Sequence, residues 1–225
     1  SSVGYSSWTY FNDVDRDNPS LGVSQFEIPE RMSAYMRWSP TLFADLESRF
    51  SLTWSHNKGR PYSFVFNGYP DMRGDALDGD GDNMLLYVPT GPNDPNVVFD
   101  DGFDTDAFFA TMDSYGFERG AFVDRGQHYS PWYARLNFKF EQMLPGLRTN
   151  DQSSVFFTIR NLGNFLNDEW GIYNFQSDHD IVDGQALNDG VDQYYIYRNF
   201  RGLRDKGRSG RGSSYLVKIG FSYRF

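Results

Sequence analysis

Cysteine is absent from the 225 residues, which removes disulfides, thiolate metal sites and a thiol nucleophile. No apolar run approaches the roughly twenty residues that a membrane-spanning helix needs. With a mean hydropathy of -0.60 and 39% hydrophobic residues, the composition excludes a helical membrane protein. Basic charge is scarce: 21 Lys and Arg stand against 30 Asp and Glu, for a net charge of -9. That balance argues against general nucleic-acid binding, which relies on basic surface. No HExxH pair, Walker A loop or GxSxG elbow occurs, and His56, His128 and His179 lie far apart without a metal-ligand spacing. The chain therefore reads as a non-enzyme with no required cofactor. Its first residues, SSVGYSSWTY, lack a basic region followed by an apolar stretch. The expectation is a leader already cleaved, or a chain that starts partway through a longer protein.

Aromatic residues are plentiful at 18%, with 21 Phe and 15 Tyr. The last eleven residues, YLVKIGFSYRF, show how they are used. Tyr215, Val217, Ile219, Phe221, Tyr223 and Phe225 fall on one face of a strand, and Leu216, Lys218, Gly220, Ser222 and Arg224 on the other. Aromatics sit at both ends of a segment of about the nine to eleven residues that a transmembrane strand requires. Four further segments alternate in the same way: Arg31 to Ser39, Arg49 to Ser55, Ala134 to Glu141 and Ser154 to Arg160. Phe156 alone breaks the last of these by joining the polar side. Strict alternation of this kind is the signal for strands with one apolar face.

The connections alternate in length. Pro40 to Leu46 and Pro145 to Gln152 are short, whereas roughly seventy and roughly fifty residues separate the other neighbours, as in barrels with short periplasmic turns and long outer loops. This predicts an all-β fold: an antiparallel transmembrane β-barrel segment in the bacterial outer membrane, with its C-terminus periplasmic and its long loops extracellular. The walls are expected to continue above the membrane around Tyr62 to Phe66 and Tyr194 to Phe200. The loops Asp71 to Asp113 and Ser177 to Gly190 are too acidic and Gly-rich to face lipid. Five strands cannot close a barrel, and an open edge in lipid leaves backbone groups unpaired at several kcal/mol each. Residues 1–225 are therefore read as the C-terminal portion of a larger barrel.

Charge is unevenly placed. Asp71 to Asp113 holds eleven Asp and one basic residue, Arg73, while Arg198 to Arg211 holds six basic residues and one acidic, Asp205. Asp78, Asp80, Asp82 and Asn83 could offer calcium several hard oxygen ligands on a Gly-rich backbone. The EF-hand pattern fails, because Asn83 replaces its Gly and Pro89 stands where the bidentate Glu belongs. A solvated acidic turn fits the same residues. Arg198, Arg201, Arg204, Arg208 and Arg211 are candidates for lipopolysaccharide phosphates or an anionic ligand. Pairing with the acidic loop is the other reading.

The stretch FFTIRNLGNFLNDEWGIYNF, Phe156 to Phe175, followed by a loop and YLVKIGFSYRF, resembles the C-terminal end of TonB-dependent outer-membrane transporters. The penultimate strand of that family ends in an Asn-Leu-x-Asn-like motif, here Asn161 to Asn167. NKGRPYSFVFNG (Asn57 to Gly68), NMLLYVPTGPNDPNVVF (Asn83 to Phe99) and ARLNFKFEQMLPG (Ala134 to Gly146) are similar to the Oar-like branch, which carries a carboxypeptidase-regulatory-like N-terminal domain. The resemblance covers about Ile28 to Phe225. It implies a 22-stranded barrel with an N-terminal plug, and uptake coupled to the proton-motive force through the TonB complex. This chain would supply the last five strands, and its partners would be outer-membrane lipid, lipopolysaccharide and the rest of its own barrel and plug. Two other readings stay open at this point. One is a secreted β-sandwich carbohydrate-binding module with a calcium loop, and the other a surface adhesin barrel without transport. A sandwich would bury its apolar faces in a core between two sheets, whereas a barrel would turn them outward in one band.

Overall fold

The structure, a computed structural model, describes residues 12–14, 21–43, 45–67, 84–148, 151–188 and 193–225. The described chain is mostly antiparallel β, with about 50% strand and 11% helix, and its strands form no closed barrel. It divides into two compact units.

One unit comprises residues 28–59, 130–175 and 207–225. Its sheet runs Arg31–Trp38, Leu46–Asn57, Tyr133–Pro145, Gln152–Arg160 and Leu216–Arg224, each strand antiparallel to its neighbour and in chain order. These are the five segments that alternate in the sequence. A short strand, Thr41–Phe43, folds back on the second of them. The turn before Leu46 places Asp45 at φ 55°, and the Ser48 N–H donates to the Pro40 carbonyl at 2.7 Å. At the other short turn a Cβ on Gly146 would stand 2.3 Å from the Asp151 carbonyl oxygen, so a larger residue there would push the two strands apart. Asn57 pairs with both Arg31 and Tyr133, so the chain leaves for its long excursion and returns at one end of the sheet. The short turns lie at the opposite end.

The other unit comprises residues 1–27, 60–129 and 176–206. Its four-stranded sheet is mixed. The antiparallel hairpin His179–Asn188 and Gln193–Phe200 is flanked by parallel strands Phe64–Asn67 and Val97–Phe99. Helix Thr105–Tyr115 starts where the Asp104 carboxylate accepts the Ala107 N–H at 2.9 Å and ends at Gly116, whose φ of 70° suits glycine. Phe64, Phe66, Leu86, Phe108, Met112, Ile181, Val182 and Tyr197 are almost wholly buried, and this unit holds nearly all of the buried apolar side chains.

Two expectations are corrected here. Tyr62 to Phe66 and Tyr194 to Phe200 do carry strands, but Tyr62 pairs with His128 in a two-stranded ladder, Phe64–Asn67 and Gln193–Phe200 belong to the mixed sheet with its own core, and neither sheet includes a strand of the five-stranded one. Ser177 to Gly190, expected as a loop, holds an inner strand of that sheet with Ile181 and Val182 at 0% exposure. Two of its acidic residues meet arginines: Asp180 pairs with Arg204, and Asp183 lies 3.4 Å from Arg201.

Candidate functional site

Residues opposite one another in an antiparallel sheet share a face, so the register sorts the five-stranded sheet into two surfaces. Trp38, Phe50, Phe140, Phe157 and Ile219 form one row, and Met36, Leu52, Phe138, Ile159 and Val217 the next. Ring centroids are 5.3 Å apart for Trp38 and Phe50 and 4.9 Å for Phe50 and Phe140. This face is most exposed on the edge strands, where Trp38 is 60%, Phe221 63% and Ile219 75% exposed; on the inner strands Phe50, Phe138, Phe140 and Phe157 are half-buried, and Ile159 is 5% exposed. Towards the excursion end stand Trp54, His56 and Trp132, with the His56 and Trp132 rings 4.8 Å apart. Towards the short turns, the Ser48 hydroxyl donates to the Gln142 side-chain oxygen, so two polar groups within the apolar face satisfy each other. Ala134 and Leu144 share this face ten residues apart. That is about 34 Å of strand, or roughly 26 Å upright at a barrel tilt of about 40°.

The opposite face is polar. A basin of about 340 Å³ is lined by Tyr35, Arg37, Arg49, Asn137, Lys139 and Glu141 among others. Glu47 accepts from Arg49 at 2.6 Å and lies 3.4 Å from Arg37, while Glu141 lies 3.1 Å from Lys139 and 3.9 Å from Arg49. Three cations and two carboxylates thus form one ladder across three strands, a surface suited to water. The sequence exception Phe156 faces this side because its ring covers Gly220 on the neighbouring strand. A Cβ there would meet the Phe156 ring at 2.2 Å. The Lys139 ammonium sits 5.4 Å from the same ring.

The motif that begins at Asn161 is a corner. Asn161 is 3% exposed and left-handed at φ 56°, and the helix Leu162–Leu166 follows it. Its amide donates to the Gly171 and Ser213 carbonyls at 2.9 and 2.8 Å, and its backbone N–H donates to Asn137 Oδ1 at 2.9 Å. One side chain thereby ties two loops to the end of the sheet. Asn161→Ala is expected to cost about 2–4 kcal/mol, from one buried and one half-buried acceptor left unpaired plus left-handed strain. Asn161→Gly should cost about 1 kcal/mol less, because only the strain is relieved. Thermal melts of the three proteins check this order.

Arg198, Arg201 and Arg204 lie in the mixed-sheet unit, and Arg208 and Arg211 in the other. Arg198 lies 4.0 Å from Asp100, Arg201 3.7 Å from Asp180, and Arg204 pairs with Asp180, all within the mixed-sheet unit. Arg208 donates to the Asp168 carbonyl at 3.0 Å, and Arg211 sits in the last turn of the short helix Gly210–Ser213, both in the other unit. Among the described residues, Arg198 is the one of the five that meets the acidic run, through Asp100. The calcium candidates Asp78, Asp80, Asp82 and Asn83 lie outside the described residues. Among the described residues no group of three or more His, Cys, Asp or Glu could hold a metal ion.

Sequence spacing separates His128 from His179, yet both pack against Tyr62 and Phe64. His179 is 2% exposed, and its Nδ1 accepts the Arg204 backbone N–H at 3.0 Å, which places the proton on Nε2. Burial pushes its pKa down from 6.5 to about 4; Asp180 works against this, and Arg204 and His128 add to it. Burial also lowers His128 and raises Tyr62 to about 12. Because His179 takes up a proton more readily when unfolded, its contribution is full above about pH 6.5 and fades as the pH falls towards about 4, by about 3 kcal/mol in total. Urea melts at pH 7 and pH 4 should show this loss, and His179→Asn should flatten that part of the slope. Asp94 is the hub of the segment Thr90 to Asn96. It is 4% exposed and accepts from the Thr90 and Asn96 N–H groups at 2.6 and 2.8 Å, and from the Tyr87 hydroxyl. Despite burial, which works against it, these donors hold its carboxyl below the usual range.

No protein-family profile matches the sequence, and comparison with curated proteins and with solved structures returns no match.

Proposed function

We propose that the chain is part of an outer-membrane β-barrel, a TonB-dependent transporter wall whose apolar face meets lipid and whose polar face lines the interior. The observation that carries the reading is the pairing of an open apolar face, about one bilayer core in height, with a charged and hydrogen-bonded opposite face on the same five strands. A secreted sandwich would bury that apolar face, yet within this unit Ile159 is the only buried apolar side chain among the described residues. The short turns then lie on the periplasmic side, and the excursions that build the mixed-sheet unit lie outside the cell. Strands 31–38 and 216–224 each have one edge without a partner among the described strands. In lipid those edges demand further strands, so the wall is completed by more of the same barrel. Energy coupling through TonB rests on the resemblance of Phe156 to Phe175 and of the closing strand, and the cargo is unassigned.

The intact mass of the envelope protein that carries this sequence tests the reading. A species several times heavier than 26.0 kDa is expected, as a barrel with a plug requires. A product of 26.0 kDa in the envelope would contradict the transporter.

A further inference from the structure

We propose that the row Arg37, Ser51, Lys139, Thr158 and Lys218 on the polar face is a binding site for a small cargo bearing several carboxylate or phosphate charges, entered from the excursion end of the sheet. The inference rests on the reading of this face as the barrel interior and adds to it the chemical class of the cargo.

The register sets these residues side by side across all five strands. Cations on alternate strands stand about 10 Å apart, two strand spacings, with a hydroxyl between each pair. A cation beside a hydroxyl donor suits a carboxylate or phosphate oxygen. From this row to the excursion end the face also carries Arg31, Arg135 and Arg160, and no acidic residue. Composition runs the other way, since acidic residues outnumber basic ones by 30 to 21. The carboxylates Glu47 and Glu141 stand towards the short turns, where they engage Arg37, Arg49 and Lys139. Arg31, Arg160 and Lys218 are exposed and, like Arg135, form no ion pair among the described residues. Arg135 donates one nitrogen to the Gly212 carbonyl at 2.7 Å and keeps its buried Nε without an acceptor. Positive charge is thus neutralised towards one end and bare towards the other. In a passage with low-dielectric walls such a gradient draws an anion inward from the bare end. The basin of about 340 Å³ lies at the foot of that gradient, over Arg37, Ser51, Lys139 and Thr158. Its volume is within the range of small-molecule sites.

The test uses the whole envelope protein in native outer-membrane vesicles, with a single cysteine from Thr158→Cys or, in a companion protein, from Ile219→Cys. Each is reacted with a sulfonate-bearing and an ammonium-bearing methanethiosulfonate, and each rate is divided by that of the same reagent with a free thiol. Thr158→Cys is expected to favour the anionic reagent by at least about tenfold, a preference that fades as salt is raised. Citrate and inorganic tripolyphosphate should slow its reaction severalfold, and neutral trehalose should not. Protection by one of the two anions alone supports the site and names its acid group. Adding Lys218→Gln should weaken both the preference and the protection, whereas Arg208→Gln, off this face, should change neither. Equal rates for the two reagents at position 158, or no reaction there, overturn the cargo site if Ile219→Cys stays untouched by both. The cations are then already neutralised or covered by another part of the same protein, and the wall reading stands. Anionic preference without protection by either anion also overturns the cargo site. Reaction of Ile219→Cys with both water-soluble reagents overturns the wall reading itself. Ser51→Cys, the other hydroxyl of the row, gives the same decision if Thr158→Cys does not assemble.

Discussion

Replacing Phe157 with arginine is expected to lower stability in a bilayer by about 2–4 kcal/mol, the cost of a cation on the lipid face near the midplane of a barrel. Phe157 lies in the row of Trp38, Phe50, Phe140 and Ile219, halfway along the longest strands. Phe221→Arg should behave alike, from a side chain 63% exposed on the same face. Thr158→Arg, one residue away on the polar face, should change stability by no more than about 0.5 kcal/mol. In water the distinction would shrink, since the half-buried Phe157 would lose only part of its packing and the arginine would be solvated. Folding titrations into lipid vesicles give the three values, and equal values for Phe157→Arg and Thr158→Arg would refute the assignment of faces.

Tyr197→Ala is expected to cost about 3–5 kcal/mol in the mixed-sheet unit. Tyr197 is 0% exposed, and its ring lies between 5.4 and 5.8 Å from those of Phe66, Phe99, Phe103 and Phe108. Its hydroxyl donates to the Tyr87 carbonyl, and burial raises its pKa well above 10. Tyr197→Phe keeps the packing but leaves that carbonyl unpaired, for about 1–2 kcal/mol. Amide exchange in Phe64–Asn67 and His179–Asn188 reports both losses locally.

The five-stranded sheet was legible because one face of every strand is apolar and the other polar, so a period of two appears in the sequence itself. The mixed sheet was not. Ser63 to Phe66 and Met84 to Val88 are buried on both sides and carry continuous short runs without alternation, which periodicity cannot tell from other buried segments. His179 to Asn188 hides for another reason, since its two buried apolar residues, Ile181 and Val182, sit among Asp180, Asp183 and Gly184 and read as a loop. Parallel pairing joins strands more than a hundred residues apart in the case of Phe64–Asn67 and His179–Asn188, and no local signal announces it. Within the candidate site, alternation alone assigned both faces, but the reason for Phe156 needed the register that sets it opposite Gly220. The Asn161 motif entered as resemblance, and its physical content, an amide tying two distant carbonyls, belongs to tertiary structure. The arginines were visible as a run, whereas their partners Asp180 and Asp183 sit in a segment read as a loop.

The absence of cysteine makes one experiment decisive for the central claim that the apolar face meets lipid. Single cysteines at Met36, Phe138, Phe157 and Ile219, and at Ser51, Lys139, Thr158 and Lys218 on the other face, can be probed in native outer-membrane vesicles. One thiol reagent is water-soluble and the other partitions into lipid. The account predicts that the first group reacts with the lipid-partitioning reagent alone and the second with the aqueous one, alternating residue by residue from 157 to 158. Reaction of both groups with the aqueous reagent would contradict it.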